Sequence, residues 1–159
     1  MLTLQCKAVF EGVQNLTFSD SIEEPYFFTV KVSCQGCRSI HSNAVSFSRY
    51  DNESLPGSRG EANFVMKCHE CGKDGNISVV SKTLGVYNGE DKFTDMATFD
   101  CRGLVIEEFE AGDDFKAEGL DTNTKFNVSF DDGEWYDVDE KSLEQVSITE
   151  LQWKIVKTK

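Results

Sequence analysis

The chain has 159 residues and a net charge of −12, from 16 basic and 28 acidic side chains. That length supports a domain with a real core. The charge sets the chain against nucleic acid and anionic membrane surfaces, whose phosphates are bound through Lys and Arg.

Residues 2–10 alternate cleanly: Leu2, Leu4, Cys6, Ala8 and Phe10 face one way, and Thr3, Gln5 and Lys7 the other. This is the pattern of a half-buried strand. Cys6 lies on its apolar face and reads as a small buried hydrophobe. Gly12 breaks the alternation, and residues 13–18 continue as a second extended piece. After the acidic residues 20–24 and Pro25, residues 26–33 read as a strand running into Cys34-Gln35-Gly36-Cys37. Residues 44–50 alternate again. Residues 52–60 form a loop with Pro56, Gly57 and Gly60 as its turn residues. Residues 62–67 lead into Cys68-His69-Glu70-Cys71-Gly72, and residues 76–82 leave it.

Two Cys-x-x-Cys pairs in a chain whose first residues, Met1 to Lys7, do not read as a signal peptide point to a four-thiolate metal site. Each pair wraps a tight turn around the ion, and Gly36 and Gly72 let the backbone bend and aim N–H groups at the sulfurs. A redox pair of the thioredoxin kind needs a helix start within a βαβ unit, and neither flank is helical. A disulfide framework needs a secreted, cysteine-dense chain. Four thiolates suit zinc, and they also suit a single iron; zinc is the better choice. The 30 residues between the pairs, 38–67, place the two knuckles on separate hairpins whose ends the metal joins. With four cysteines completing a tetrahedron, His41 and His69 read as turn or surface residues.

The second half is more acidic: residues 1–72 carry 6 basic and 8 acidic groups, and residues 73–159 carry 10 and 20. Residues 93–106 read as extended, with an interruption at Cys101-Arg102-Gly103. Cys101 beside a cation is a candidate reactive thiol, set against the commoner case of a cysteine buried in a strand. Phe126, Val128 and Phe130 alternate before Asp131-Asp132-Gly133, which predicts a hairpin to residues 134–138. Residues 139–145 suit a short helix. Residues 146–157 form a long last strand in which Val146 and Ile148 hold one phase and Leu151, Trp153 and Ile155 the other. A one-residue slip reconciles them, predicting a β-bulge near Thr149-Glu150.

Some ten short strands with little helical periodicity predict a mainly β fold of sandwich or barrel type. Residues 1–159 are expected to form one compact domain. Leu4-Gln5-Cys6-Lys7-Ala8-Val9 faintly echoes Phe99-Asp100-Cys101-Arg102-Gly103-Leu104. Such a six-residue match is common by chance. It would mark two related lobes, a zinc-bearing one at 1–90 and an acidic one at 91–159.

Several stretches together resemble the small eukaryotic family of CXXC-motif-containing zinc-binding proteins. They are the two knuckles, Gly57-Ser58-Arg59-Gly60, Phe99-Asp100-Cys101-Arg102-Gly103-Leu104, Ala117-Glu118-Gly119, and Trp135 followed by Asp139-Glu140-Lys141. The resemblance covers essentially the whole chain. It implies a cytoplasmic β protein without established enzymatic activity, with Cys34, Cys37, Cys68 and Cys71 as zinc ligands. His69 lies inside a knuckle but inherits no role. Only through the resemblance do Arg59, Asp100, Arg102 and Trp135 become candidates for a functional surface.

The functional expectation is a non-catalytic protein with one structural zinc per chain, acting through protein partners with basic surfaces. Exchange of zinc or copper(I) with a partner is the alternative. Two histidines, without nucleophile spacing or a phosphate-binding loop, argue against an enzyme.

Overall fold

In the computed structural model, residues 1–158 are described. Among them are fourteen strands and no helix: β1 (Leu2–Glu11), β2 (Val13–Phe18), β3 (Phe28–Cys34), β4 (Val45–Phe47), β5 (Glu53–Ser54), β6 (Glu61–Ala62), β7 (Phe64–Lys67), β8 (Asp74–Val79), β9 (Thr94–Arg102), β10 (Leu104–Glu110), β11 (Phe115–Gly119), β12 (Lys125–Val128), β13 (Trp135–Val138) and β14 (Gln145–Lys157). A curled six-stranded sheet runs β13-β14-β1-β9-β8-β7, and two three-stranded sheets, β10-β3-β4 and β12-β11-β2, accompany it. The mainly β architecture is as expected.

The alternating strands place their apolar faces in one buried cluster. Phe28 is fully buried, with its ring against Phe18, Tyr26, Phe47, Phe99 and Phe109 at centroid distances of 4.9–6.4 Å. Tyr87 is likewise fully buried, and its hydroxyl donates to the Ala8 carbonyl at 2.9 Å. This Tyr anchors the connection between β8 and β9 in the core.

The bulge forms where the phase switch requires it. Lys7 pairs with Gln152 and Val9 with Thr149, so Glu150 and Leu151 together face Ala8. Glu150 adopts φ 52°. Val146 and Ile148 stay buried before the slip, and Leu151, Trp153 and Ile155 pack on the same core after it.

Two local expectations fail. Asp131-Asp132-Gly133 does turn, with Gly133 at φ 83° and its N–H on the Phe130 carbonyl at 2.9 Å. It is not a hairpin, however: β12 pairs with β11, and β13 pairs with β14. The turn carries the chain from one sheet to another because both Phe130 and Trp135 are drawn into the core. Residues 139–145 are not helical; six residues close the β13–β14 hairpin, whose last pair is Val138 with Gln145. The Asp139 carboxylate captures the Lys141 N–H at 2.9 Å, a turn-forming bond that competes with a helix.

An internal repeat runs through this topology. Strands β1, β2, β3, β4, β7 and β8 correspond in order to β9, β10, β11, β12, β13 and β14. Gly12 and Gly103, both at φ 73°, turn the two long arms, β1–β2 and β9–β10, from one sheet into another. The copies are intertwined: among the strands described, β1 pairs with β9 and β14, β2 with β11, β9 with β1 and β8, and β10 with β3. Each arm is therefore laddered on the other copy's strands. The two copies share one six-stranded sheet, with three strands from each.

Candidate metal centre

Each knuckle grows from the end of a strand. β3 stops at Cys34, and the chain reverses through Gln35-Gly36-Cys37. The Arg38 N–H donates to the Cys34 carbonyl at 2.8 Å, and the Cys34 N–H donates to the Ser39 carbonyl at 2.9 Å. The second knuckle is the loop of the β7–β8 hairpin, with the Cys68 N–H on the Lys73 carbonyl at 2.8 Å. Gly72 sits at φ 75°, and its N–H donates to the Cys68 carbonyl at 2.9 Å. It closes the turn, and the amide that follows it, that of Lys73, points at the Cys71 sulfur, as the sequence had suggested. The other glycine behaves as expected: the Cys37 and Gly36 amides both point at the Cys34 sulfur. Lys73 lies across Gly36, where a Cβ would come 2.9 Å from its Cδ, so a side chain there would displace the end of the lysine.

The structure brings Cys34, Cys37, Cys68 and Cys71 together, all four sulfurs within 4.8 Å of one another. The Cys34–Cys71 and Cys37–Cys68 separations are both 3.6 Å. A disulfide needs about 2.05 Å. A tetrahedron with Zn–S bonds of about 2.3 Å has edges of roughly 3.8 Å. The donor set and its spacing therefore fit one tetrahedral ion joining the tips of two hairpins from different sheets. Cys34 and Cys68 are buried, while Cys37 and Cys71 are exposed.

Hydrogen bonds prepare part of this set as thiolates. The Ser39 hydroxyl and then its amide hold Cys37 down at about 6, and the Cys37 and Gly36 amides hold Cys34 below the usual thiol range. Cys71 receives the Lys73 amide, but desolvation and crowding by the other three sulfurs push it up to about 11. A divalent cation offsets that crowding.

The two histidines meet here, unforeseen in the sequence because 27 residues separate them. Their rings lie edge to face, with centroids 5.3 Å apart. His41 and His69 line a cleft of about 120 Å³ beside Cys34 and Cys68, closed by Val32, Ile40 and Leu104.

The remaining candidates do not converge. Cys101 pairs with Ile77 in the sheet, and burial, then Asp100, pushes its thiol up to about 12. The expected effect of Arg102 is absent because successive residues of a strand point to opposite faces: Arg102 lies on the face of Asp100, which it reaches at 3.5 Å. Trp135 is buried against Phe126 at 5.3 Å, and Arg59 lies exposed in the loop between β5 and β6.

Comparison with known proteins gives the same picture over the full length. Residues 3–156 match the family described as CXXC motif containing zinc binding protein, eukaryotic. A UPF0587 protein of Schizosaccharomyces pombe is 38% identical over 154 residues, 97% of this chain and 96% of its own. The CXXC motif containing zinc binding protein of Rattus norvegicus is 35% identical over 159 residues, 98% of each chain. The crystal structure of C1orf123 superposes with a TM-score of 0.90 at 32% identity, covering 99% of both chains. A hypothetical protein from Plasmodium falciparum gives 0.85 at 26% identity, covering 98% of both.

Proposed function

We propose, from the premise that this chain belongs to the eukaryotic family of CXXC motif containing zinc binding proteins, that its zinc is structural and its work non-catalytic. Cys34, Cys37, Cys68 and Cys71 are the ligands. The observation that carries this reading is the mutual approach of four sulfurs within 4.8 Å. Four thiolates saturate a tetrahedral ion and leave no position for water or substrate. The ion's work is to hold the β3–β4 and β7–β8 tips in register. Its cytoplasmic setting and its action through partners with basic patches are further parts of the proposal, supported by the net charge of −12 and the free thiols. No helix among the described residues is long and apolar enough to cross a membrane.

A second reading, exchange of zinc or copper(I) with a partner, is favoured by one observation: Cys37 and Cys71 are exposed, so an incoming thiolate can reach the ion. Soft thiolates serve both metals.

One experiment separates the two. Protein purified under reducing conditions without added metal is assayed for zinc, then titrated with a competing chelator while the sheet is followed by circular dichroism. One zinc per chain, leaving only as residues 28–79 lose structure, supports the structural site. Zinc that leaves while the sheet stays intact, and moves to an apo acceptor, selects exchange.

A further inference from the structure

The repeat sets a metal-free counterpart opposite the cysteines. At the β11–β12 tip the Gly119 N–H donates to the Thr124 carbonyl at 2.8 Å, and the Asn123 N–H to the Gly119 carbonyl at 3.1 Å. These repeat the Cys34–Ser39 and Arg38–Cys34 bonds of the first knuckle, and Asn123 and Arg38 share left-handed φ values of 56° and 65°. The contact to the other copy's arm also recurs: Leu120 N–H on the Gly12 carbonyl and Gln35 N–H on the Gly103 carbonyl, both 3.0 Å. At the β13–β14 tip, Asp139 N–H to Glu144 at 2.9 Å and Leu143 N–H to Asp139 at 2.7 Å repeat the Cys68–Lys73 and Gly72–Cys68 bonds. Leu143 at φ 63° takes the place of Gly72 at φ 75°. Gly119, Thr122, Asp139 and Ser142 thus stand where the first copy has Cys34, Cys37, Cys68 and Cys71.

A carboxylate fills the place of the ion. Asp139 is 2% exposed. Its Oδ2 accepts a short hydrogen bond from the Thr122 hydroxyl, and its Oδ1 accepts from the Thr124 hydroxyl at 2.8 Å and from the Lys141 N–H. Thr122 and Thr124 belong to one hairpin tip and Asp139 to the other, so these bonds cross between tips as metal–sulfur bonds would. The first position is glycine for a steric reason: a Cβ on Gly119 would run into the Thr122 hydroxyl and lie 2.6 Å from Asp139 Oδ2.

We infer that Asp139, with Thr122 and Thr124, is the second copy's replacement for the metal centre, a carboxylate clasp that ties β11–β12 to β13–β14. The equivalence rests on the reading of the four cysteines as a metal site; the clasp itself does not. The two ends of the molecule therefore answer to different chemistry. Chelation or thiol oxidation opens the first and leaves the second closed.

Amide hydrogen exchange on the full-length, zinc-loaded chain tests this with Asp139→Asn, which keeps the shape and removes the charge. The expected result is exchange at least about tenfold faster at Gly119, Asn123 and Leu143, with Cys34, Arg38, Cys68 and Gly72 unchanged. Unchanged rates at the clasp, or equal loosening at both ends, overturn the inference. A second variant carries Gly119→Cys, Thr122→Cys, Asp139→Cys and Ser142→Cys together. It is expected to hold a second zinc, and a folded variant holding only one overturns the equivalence. If it does not fold, the exchange result decides. Wild-type metal content separately tests the cysteine reading: a wild type without zinc whose Asp139→Asn tip still loosens defeats that reading and leaves the clasp standing.

Discussion

Arg49 places its Nε 2.6 Å from Oδ2 of Asp20, a carboxylate whose side chain is only 5% exposed. The other oxygen of Asp20 accepts the Tyr26 N–H at 2.8 Å, and the Arg49 Nη2 donates to the Tyr50 hydroxyl at 2.7 Å. The pair pins the entry to β3 to the segment after β4. Arg49→Ala strands a buried carboxylate, and the expected loss is about 3 kcal/mol. Urea denaturation measures it; a loss under about 1 kcal/mol would mean that water reaches Asp20.

Phe28 is the hub of the aromatic cluster. Phe28→Ala should cost about 3–5 kcal/mol, because the surrounding sheets can close only part of the cavity. Denaturation curves report the loss. Zinc stoichiometry should stay at one, since the knuckles lie at the far end of β3; metal loss in parallel with stability would tie the centre to the core.

Cys6 and Cys101 should be inert. Burial pushes both thiols up to about 12, leaving almost no thiolate at neutral pH. Iodoacetamide on the native zinc-loaded protein, read by mass spectrometry, should leave both unmodified, and chelation should open Cys37, exposed and held down at about 6, to labelling first. Early labelling of Cys101 would revive a thiol-exchange role for it.

The clasp has a pH signature. Hydrogen bonds from Thr122, then Lys141 and Thr124, hold the Asp139 carboxyl below its ordinary range. A depressed folded pKa gives stability that is fully present above the unfolded value, about 3.9, and is lost as pH falls through the folded value. The stability difference between wild type and Asp139→Asn should therefore be full at neutral pH and close in acid, below about pH 3.9. Both proteins lose thiolate ligands over the same range, so the comparison cancels the metal's contribution. A difference that does not vary with pH would assign the Asn effect to shape.

The sequence revealed features that local chemistry controls. Knuckle spacing brought out the four cysteines, and the phase switch between Ile148 and Leu151 brought out the bulge. It was less informative where partners are chosen at long range. Asp131-Asp132-Gly133 has hairpin chemistry, yet burial of Phe130 and Trp135 sends its flanking strands to different sheets. Phe115–Gly119 gives a weak strand signal because its alternation is only five residues long and, after Phe115, rests on the small residues Ala117 and Gly119. The repeat was seen in the wrong register. Matching Cys6 to Cys101 is four residues out, since Cys101 faces Ile77 as Phe10 faces Ile148, and Gly12 and Gly103 align the copies. The clasp escaped notice because Gly, Thr, Asp and Ser resemble four cysteines only once the backbone bonds are compared.

The intertwined arms have a mechanical consequence. Because β1, β2, β9 and β10 each find their ladder partners in the opposite copy, residues 80–93 act as a tether between two pieces that would embrace without it. A protease nick on either side of the anchored Tyr87 should leave fragments that travel together and keep their zinc. Expressed apart, each fragment should be an unpaired set of strand edges seeking its complement.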